Sequence, residues 1–254
     1  MRLAITLASL TAVVWAGCGG DDPERKGSAD GEVIVSAASS LQTAFTAYAD
    51  AGGIDVKQSF AGSDDLAAQI RQGVTPDVYA AANTSLPEDL YDEGLVERPF
   101  VFATNTLVLA VPADADIDSI DDLTGVDVTL AIGQEGVPVG DYTREVLGRL
   151  PPDQGEAILE NVGSEEPDVA GIVGKLTQGA VDAGFVYVTD VVAADGALEA
   201  IDLPPRLEPD VAYAAAVVNG AENPAGADRF IQGLLEGDGA RALEAAGFGP
   251  PPSG

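Results

Sequence analysis

Two hydrophobic rhythms alternate along the chain. From Glu32 onward, short apolar runs that suit buried strands give way to stretches whose apolar residues recur every three or four positions, as on one helix face. "EVIVSA" (32–37) reads as a strand. "SLQTAFTAYADAGG" (40–53) reads as a helix with Leu41, Ala44, Phe45 and Tyr48 on one face and glycines at its end. "IDVKQSFA" (54–61) returns to a strand, and "DDLAAQIRQG" (64–73) to a short helix with Leu66 and Ile70 inward and Gly73 as its stop. "PDVYAAA" (76–82) is strand-like, and a small acidic helix follows over 86–94.

The rhythm continues with a buried strand at 105–112, a short helix at 119–125, a strand at 128–133 and a helix at 136–150. A helix over 167–179 sets Val169, Ile172, Val173 and Leu176 on one face, and a strand at 183–190 runs into another helical turn. A long apolar strand (211–220) and two closing helices (224–237 and 239–248) complete the pattern. This order predicts an α/β protein with mainly parallel sheets covered on both faces. Coarse self-similarity divides it into two lobes, 32–108 with 212–249 and 109–211, with the strands at 105–112 and 211–218 as the crossings.

The first residues follow another logic. Arg2 precedes an apolar stretch, Leu3–Ala16, too short to span a bilayer, and "WAGC" follows. The pattern resembles a bacterial lipoprotein signal over 1–17, with Cys18 as the lipidated first residue of the mature chain; the alternative is an ordinary secretory signal with an incidental cysteine. Residues 18–31 read as a flexible polar tether.

Composition narrows the functions. With 254 residues, 46% of them hydrophobic, the chain can bury a substantial core. Its 42 acidic and 12 basic residues give a formal charge of −30, which excludes a nucleic-acid backbone as partner. The absence of histidine excludes Ser-His-Asp and Cys-His catalysis and His-ligated zinc. A single cysteine excludes an intramolecular disulfide and a thiolate metal cluster. Lys57 and Lys175 stand in no recognisable spacing to Ser39, Ser40 or Ser63, and the acid pairs Asp64–Asp65 and Glu165–Glu166 read as solvated turns. The expectation is a protein that is not an enzyme, with no catalytic residue, no cofactor and no bare metal cation.

Four helix starts carry the remaining signal: Ser39-Ser40, Ser63-Asp64, Pro138-Val139-Gly140 and Pro167-Asp168-Val169. Each offers free backbone N–H groups and partial positive charge. Serine and aspartate are common N-caps and proline suits a first turn, so plain capping explains each one alone. Several starts aimed at one cleft would make an anion site, but spacing alone does not show that they converge.

Five stretches bear on that question: "VSAASSLQTAF", "SFAGSDDLAAQIRQG", "PDVYAAA", "GQEGVPVGDYTREVL" and "GFVYVTD". In this order, over Glu32 to Phe248, they resemble the molybdate-binding proteins of molybdate ABC transporters. The resemblance implies a two-lobed type II periplasmic-binding-protein fold closing on a tetrahedral oxyanion. It also implies an extracytoplasmic, monomeric substrate-binding lipoprotein, lipid-anchored to the cell membrane, that passes molybdate or tungstate to an ABC permease. Carried over position by position, the ligand residues are the hydroxyls of Ser40, Ser63 and Tyr187 and the backbone N–H groups of Val139 and Val169. Molybdenum would be bound only as the oxyanion. Val139 replaces the usual alanine, and Asp64 stands where a small hydroxyl residue is common; Asp64 is expected to cap its own helix.

Such a set consists of neutral donors. It suits a fully deprotonated dianion such as molybdate, tungstate or sulfate. Protonated phosphate carries an O–H that would lack an acceptor, at a cost of about 1–3 kcal/mol. Other ligands in the same fold are sulfate, phosphate, a ferric ion or an organic acid. A ferric site wants clustered tyrosines, whereas Tyr142, Tyr187 and Tyr213 are dispersed along the sequence. An organic acid wants an arginine fork, whereas Arg71 and Arg144 fall on helix bodies.

Overall fold

Ten strands form two five-stranded sheets in the computed structural model, which describes residues 31–252. Cys18, the signal at 1–17 and all of the tether except Gly31 lie outside the described residues. The first lobe holds β1 (Val33–Ala38), β2 (Val56–Ala61), β3 (Val78–Ala81), β4 (Phe100–Asn105) and, returning late in the chain, β10 (Val211–Val217), in the order β2-β1-β3-β10-β4. The second holds β5 (Leu107–Pro112), β6 (Leu130–Gly133), β7 (Val162–Glu166), β8 (Ala183–Tyr187) and β9 (Leu198–Ile201), in the order β7-β6-β8-β5-β9.

Each sheet has one reversed strand, and in each it is the strand on which the chain enters from the other lobe. β1 pairs in parallel with β2 and β3, while β10 runs antiparallel to β3 and β4. β6 pairs in parallel with β7 and β8, while β5 runs antiparallel to β8 and β9. The mainly parallel sheets expected from the α/β order are therefore present. The sheets change slightly earlier than the expected lobe limits: Leu107 already pairs with Tyr187, and Val211 already pairs with Asn105.

Nine helices cover the sheets among the described residues: α1 (Gln42–Asp50), α2 (Ser63–Arg71), α3 (Ser85–Asp92), α4 (Pro138–Gly148), α5 (Pro152–Glu160), α6 (Val169–Thr177), α7 (Val188–Ala193), α8 (Pro224–Leu235) and α9 (Asp238–Ala245). Short 3-10 turns occupy Ser39–Leu41 and Ile120–Thr124, the second where the sequence pattern predicts a short helix. Four elements escape the hydrophobic pattern. β7 ("VGSEE") and β9 are edge strands that bury little, and β4 opens on the exposed Phe100 and Val101. α5 opens on two prolines and carries Gly155, yet it forms because Pro152 takes the first helical position and Gly155 lets the helix press on the Leu147 carbonyl.

Aromatic packing fixes the first lobe. The Phe45 and Phe230 rings meet edge-on at 5.3 Å, as do Tyr213 and Phe248 at 5.3 Å. Each such pair is worth about 0.5–1.5 kcal/mol beyond the area it buries. Tyr213 also lies 5.8 Å from the ring of Tyr187, which ends β8 in the second lobe. The C-terminal ends of the parallel strands face the gap between the lobes, the usual place for a ligand in such sheets. In the first lobe these ends are small: Ala38 of β1 is in register with Ala61 of β2, and Ala82 follows β3.

Candidate functional site

One cavity between the lobes gathers all five residues singled out above. Ser40 and Ser63 line it from the first lobe, and Val139, Val169 and Tyr187 from the second. It is narrow: the centre of a water-sized sphere has about 10 Å³ to move in. The turns Ala38–Ser39, Ala61–Gly62 and Val137–Pro138 complete much of the lining, and Asp168 is its only charged residue.

The helix starts around this cavity are mostly not capped by side chains. Ala38 precedes the 3-10 turn, Gly62 caps α2 and Val137 caps α4, all without a side-chain capping bond. Only Asp168 caps in the ordinary way, accepting from the Gly171 N–H at 2.9 Å. Plain capping thus accounts for one start of the four. The other first turns keep N–H groups that no side chain of the cap takes.

The two serines use their oxygens elsewhere. Ser63 Oγ, 2% exposed, accepts from the backbone N–H of Ala82 at 3.1 Å, and the Ser63 carbonyl accepts from the Tyr79 hydroxyl at 2.7 Å. Ser40 Oγ, also buried, shares a hydrogen bond with the Tyr213 hydroxyl at 3.0 Å. Tyr213 Oη in turn accepts from the Asn105 amide at 3.4 Å, and the same amide nitrogen donates to Thr189 Oγ1 at 2.9 Å.

In the second lobe the donors are mainly backbone. Val139 is the second residue of α4 and its side chain packs over Gly133, so valine in place of alanine leaves the N–H in position. Gly140 must be glycine, because a Cβ there would collide with the carbonyls of Gly133 and Gln134, which α4 approaches closely. Gly62 has a parallel role across the cavity: a Cβ there would strike the Pro167 carbonyl, so the absent side chain lets the lobes close. Val169 is the first residue of α6.

Tyr187 has the most exposed need. Its hydroxyl is buried and has no hydrogen-bond partner in the protein. Burial pushes its ionisation well above the usual tyrosine range, so it stays a neutral donor. Its backbone N–H is fixed by Asp190 Oδ2 at 3.0 Å. Burial pushes the Asp190 carboxyl up to about 7, against the pull of that same N–H bond.

Asp64 departs from its expected role. It is the second residue of α2, not its cap, and its Oδ1 is buried without a hydrogen-bond partner. Desolvation raises its ionisation; the N–H groups of Asp64 and Asp65 pull it back, while the Asp65 and Asp141 carboxylates push it further up. It lies beside Gly62, behind the lining and outside it.

The dispersed tyrosines are not dispersed in space: the rings of Tyr142 and Tyr187 lie 6.5 Å apart, and Tyr187 and Tyr213 5.8 Å. Burial raises all three phenols, Tyr142 to about 12. Among the described residues no group of three or more His, Cys, Asp or Glu side chains could hold a metal ion. Arg71 pairs with Glu93, and Arg144 donates to the Gly133 carbonyl at 2.7 Å and to Glu165 at 2.6 Å; neither lines the cavity. Sequence reasoning missed Tyr213 and Asn105, because an aromatic residue in an apolar strand and an asparagine beside a chain crossing read as ordinary structure.

Comparison with known proteins bears on the family and the fold. The family described as "Bacterial extracellular solute-binding protein" matches residues 33–249. The molybdate-binding protein ModA of Mycobacterium tuberculosis (strain H37Rv) is 33% identical, over 98% of this chain and 99% of its own. The periplasmic molybdate-binding protein of Azotobacter vinelandii superposes with a TM-score of 0.75 at 23% identity, covering 87% of this chain and 100% of that one. The sulfate-binding protein SubI from Mycobacterium tuberculosis superposes with a TM-score of 0.77 at 16% identity, covering 86% of each chain. The two structures bear on the fold alone, and they bear out the two-lobed architecture. The chain belongs to the bacterial extracellular solute-binding protein family, as a ModA-like member of it.

Proposed function

We propose that this chain is the substrate-binding component of an ABC importer and captures molybdate, and tungstate by the same chemistry, in the cavity between its lobes. Ser40 and Ser63 offer hydroxyl protons from the first lobe. The backbone N–H groups of Val139 and Val169 and the hydroxyl of Tyr187 answer from the second. The observation that carries the reading is the buried, unpartnered Tyr187 hydroxyl in a wall of donors. An unmatched buried polar group costs about 1–3 kcal/mol, which a ligand oxygen would recover.

The electrostatics fit a dianion in spite of the charge of −30. Surface charges are screened beyond about 8 Å at physiological salt. The helix starts of α2, α4 and α6 act at contact distance inside a desolvated cleft. The one carboxylate in the lining, Asp168, is turned to the Gly171 N–H. No chemistry on the anion is implied: the partners of Ser40 and Ser63 are a phenol and an amide N–H, neither of which is a base that would activate a nucleophile.

The lobes 32–108 with 212–249 and 109–211 would close at the Gly62–Pro167 contact and present a joint surface to the permease. Cys18, lipidated, would hold a monomer at the outer face of the membrane. A second reading, sulfate, rests on the same donor set and on the likeness in fold to SubI. Thermal melting of the protein with low, equal concentrations of molybdate, tungstate, sulfate or phosphate at constant ionic strength separates them, because under those conditions a specifically bound anion raises the melting temperature above the others. A rise with molybdate and tungstate supports the proposal; a rise with sulfate alone supports the second reading.

A further inference from the structure

We propose that Tyr213 and Asn105 are positioning residues that set which way the Ser40 hydroxyl points, and that they thereby set the preference for a fully deprotonated oxyanion. The inference rests on the oxyanion-binding reading above.

Its direction can be traced atom by atom. Asn105 Oδ1 accepts from the Thr106 backbone N–H at 2.9 Å, which fixes the amide so that its nitrogen faces the other way. That nitrogen can only donate. One of its protons goes to Thr189 Oγ1 at 2.9 Å and the other to Tyr213 Oη at 3.4 Å. With one lone pair of its oxygen taken by Asn105, the Tyr213 hydroxyl has its own proton to donate, and of the two hydroxyls beside it, Ser40 Oγ at 3.0 Å is the one the relay uses as acceptor, the other being Tyr187. Ser40 Oγ therefore accepts from behind, and its proton turns toward the cavity. The phenol cannot swing out of this chain, because its ring is wedged between Phe248 at 5.3 Å, Tyr187 at 5.8 Å and Phe102 at 6.3 Å. Tyr213 is fully buried, so no bulk water competes for the link.

A ligand oxygen opposite Ser40 then meets a donor. Molybdate presents an acceptor at every oxygen. Monohydrogen phosphate presents one O–H, and the oriented Ser40 meets it with a proton, one of its two lone pairs being taken by Tyr213. Without the relay, Ser40 could rotate and accept that proton.

The test is calorimetric affinity for molybdate and for phosphate, at mildly alkaline pH where phosphate is chiefly the monohydrogen dianion. It compares the parent protein, Tyr213→Phe, Asn105→Asp and a control, Tyr48→Phe. Tyr213→Phe keeps the packed ring and frees Ser40, so the molybdate-to-phosphate affinity ratio falls, by about tenfold for one mismatched hydrogen bond. Asn105→Asp is isosteric and puts an acceptor where a donor was. Tyr213 then donates to the introduced carboxylate, Ser40 donates to Tyr213, and the ratio falls at least as far. Both anions carry the same charge, so the added carboxylate cancels in the ratio. Tyr48→Phe removes a buried hydroxyl bond to the Phe230 carbonyl, away from the cavity, and leaves the ratio unchanged. If the parent binds molybdate and both Tyr213→Phe and Asn105→Asp keep its ratio, or weaken the two anions equally, the relay is overturned while the function stands. If the parent binds no molybdate, the underlying reading falls and the relay with it.

Discussion

Ser40 follows the C-terminal end of β1 and Ser63 that of β2, on neighbouring parallel strands whose last residues, Ala38 and Ala61, are in register. Both residues line the same cavity, and each hydroxyl has a partner behind it: Ser63 Oγ accepts from a backbone N–H, and Ser40 Oγ shares a hydrogen bond that, on the relay proposed above, it accepts. The donors behind them differ. For Ser63 it is the backbone N–H of Ala82, 19 residues away, which no substitution short of proline removes. For Ser40 it is the side chain of Tyr213, 173 residues away. On the proposed reading, two similar turns would present similar protons to a ligand, one polarity set by the main chain and the other by a side chain. Selectivity on the Ser63 side would then be built into the fold, whereas on the Ser40 side a single substitution would retune it.

The largest expected effect removes both hydroxyls. Ser40→Ala with Ser63→Ala should weaken molybdate binding by at least about a hundredfold, since each bond to a charged partner is worth about 1.5–3 kcal/mol. Unchanged affinity in equilibrium dialysis would break the comparison at its root, because neither serine would then face the ligand.

The next prediction asks whether the second lobe is also set from behind. Asp190 holds the Tyr187 N–H and titrates at about 7 in the fold against an ordinary 3.8. Between those values the folded chain keeps a proton that the unfolded chain has lost, so stability drains as pH rises through that window and is fully lost above it. Asp190→Asn keeps an acceptor and does not titrate. Its stability relative to the parent should grow with pH across the window, by on the order of 4 kcal/mol at the alkaline end. Urea melts at several pH values would show it; a constant difference would remove Asp190 from this role.

Single serine variants sharpen the contrast further. Ser63→Ala orphans the buried Ala82 N–H, which the main chain fixes in place, whereas the Tyr213 O–H that Ser40→Ala deprives of a partner can rotate, and its oxygen keeps the bond from Asn105. Ser63→Ala should therefore be the less stable of the two by about 1 kcal/mol in urea unfolding. Equal stability would mean that the two turns are held alike. The smallest effect concerns kinetics: with a net charge of −30, the association rate of molybdate should rise several-fold as salt is added. A flat or falling stopped-flow rate would show that the local donors already dominate at long range.

Much of this was legible in the sequence because it depends on local rhythm. Leu41, Phe45, Leu66 and Ile70 recur at helical spacing and are buried on helix faces as expected. The five candidate residues could be named because the ordered motifs resemble those of the molybdate-binding proteins, whose ligand positions carry over onto them; spacing alone left them as possible caps. What stayed hidden depends on the third dimension. Tyr213 and Ser40 are far apart in sequence, and Tyr142, Tyr187 and Tyr213 gather only when the lobes meet. Edge strands such as β7 lack a buried face to mark them. The serines looked like caps because capping is what serine at a helix start usually does. Here Ala38 and Gly62 hold the cap positions, and the hydroxyls are left for another partner.

The central claim is that the cavity is a wall of donors matched to an anion without a proton. Calorimetric titration of the parent protein with molybdate and with phosphate, under one buffer and salt condition, tests it most directly. The account predicts saturable one-to-one binding of molybdate and binding of phosphate weaker by at least about tenfold. Saturable phosphate binding with no heat from molybdate would contradict it.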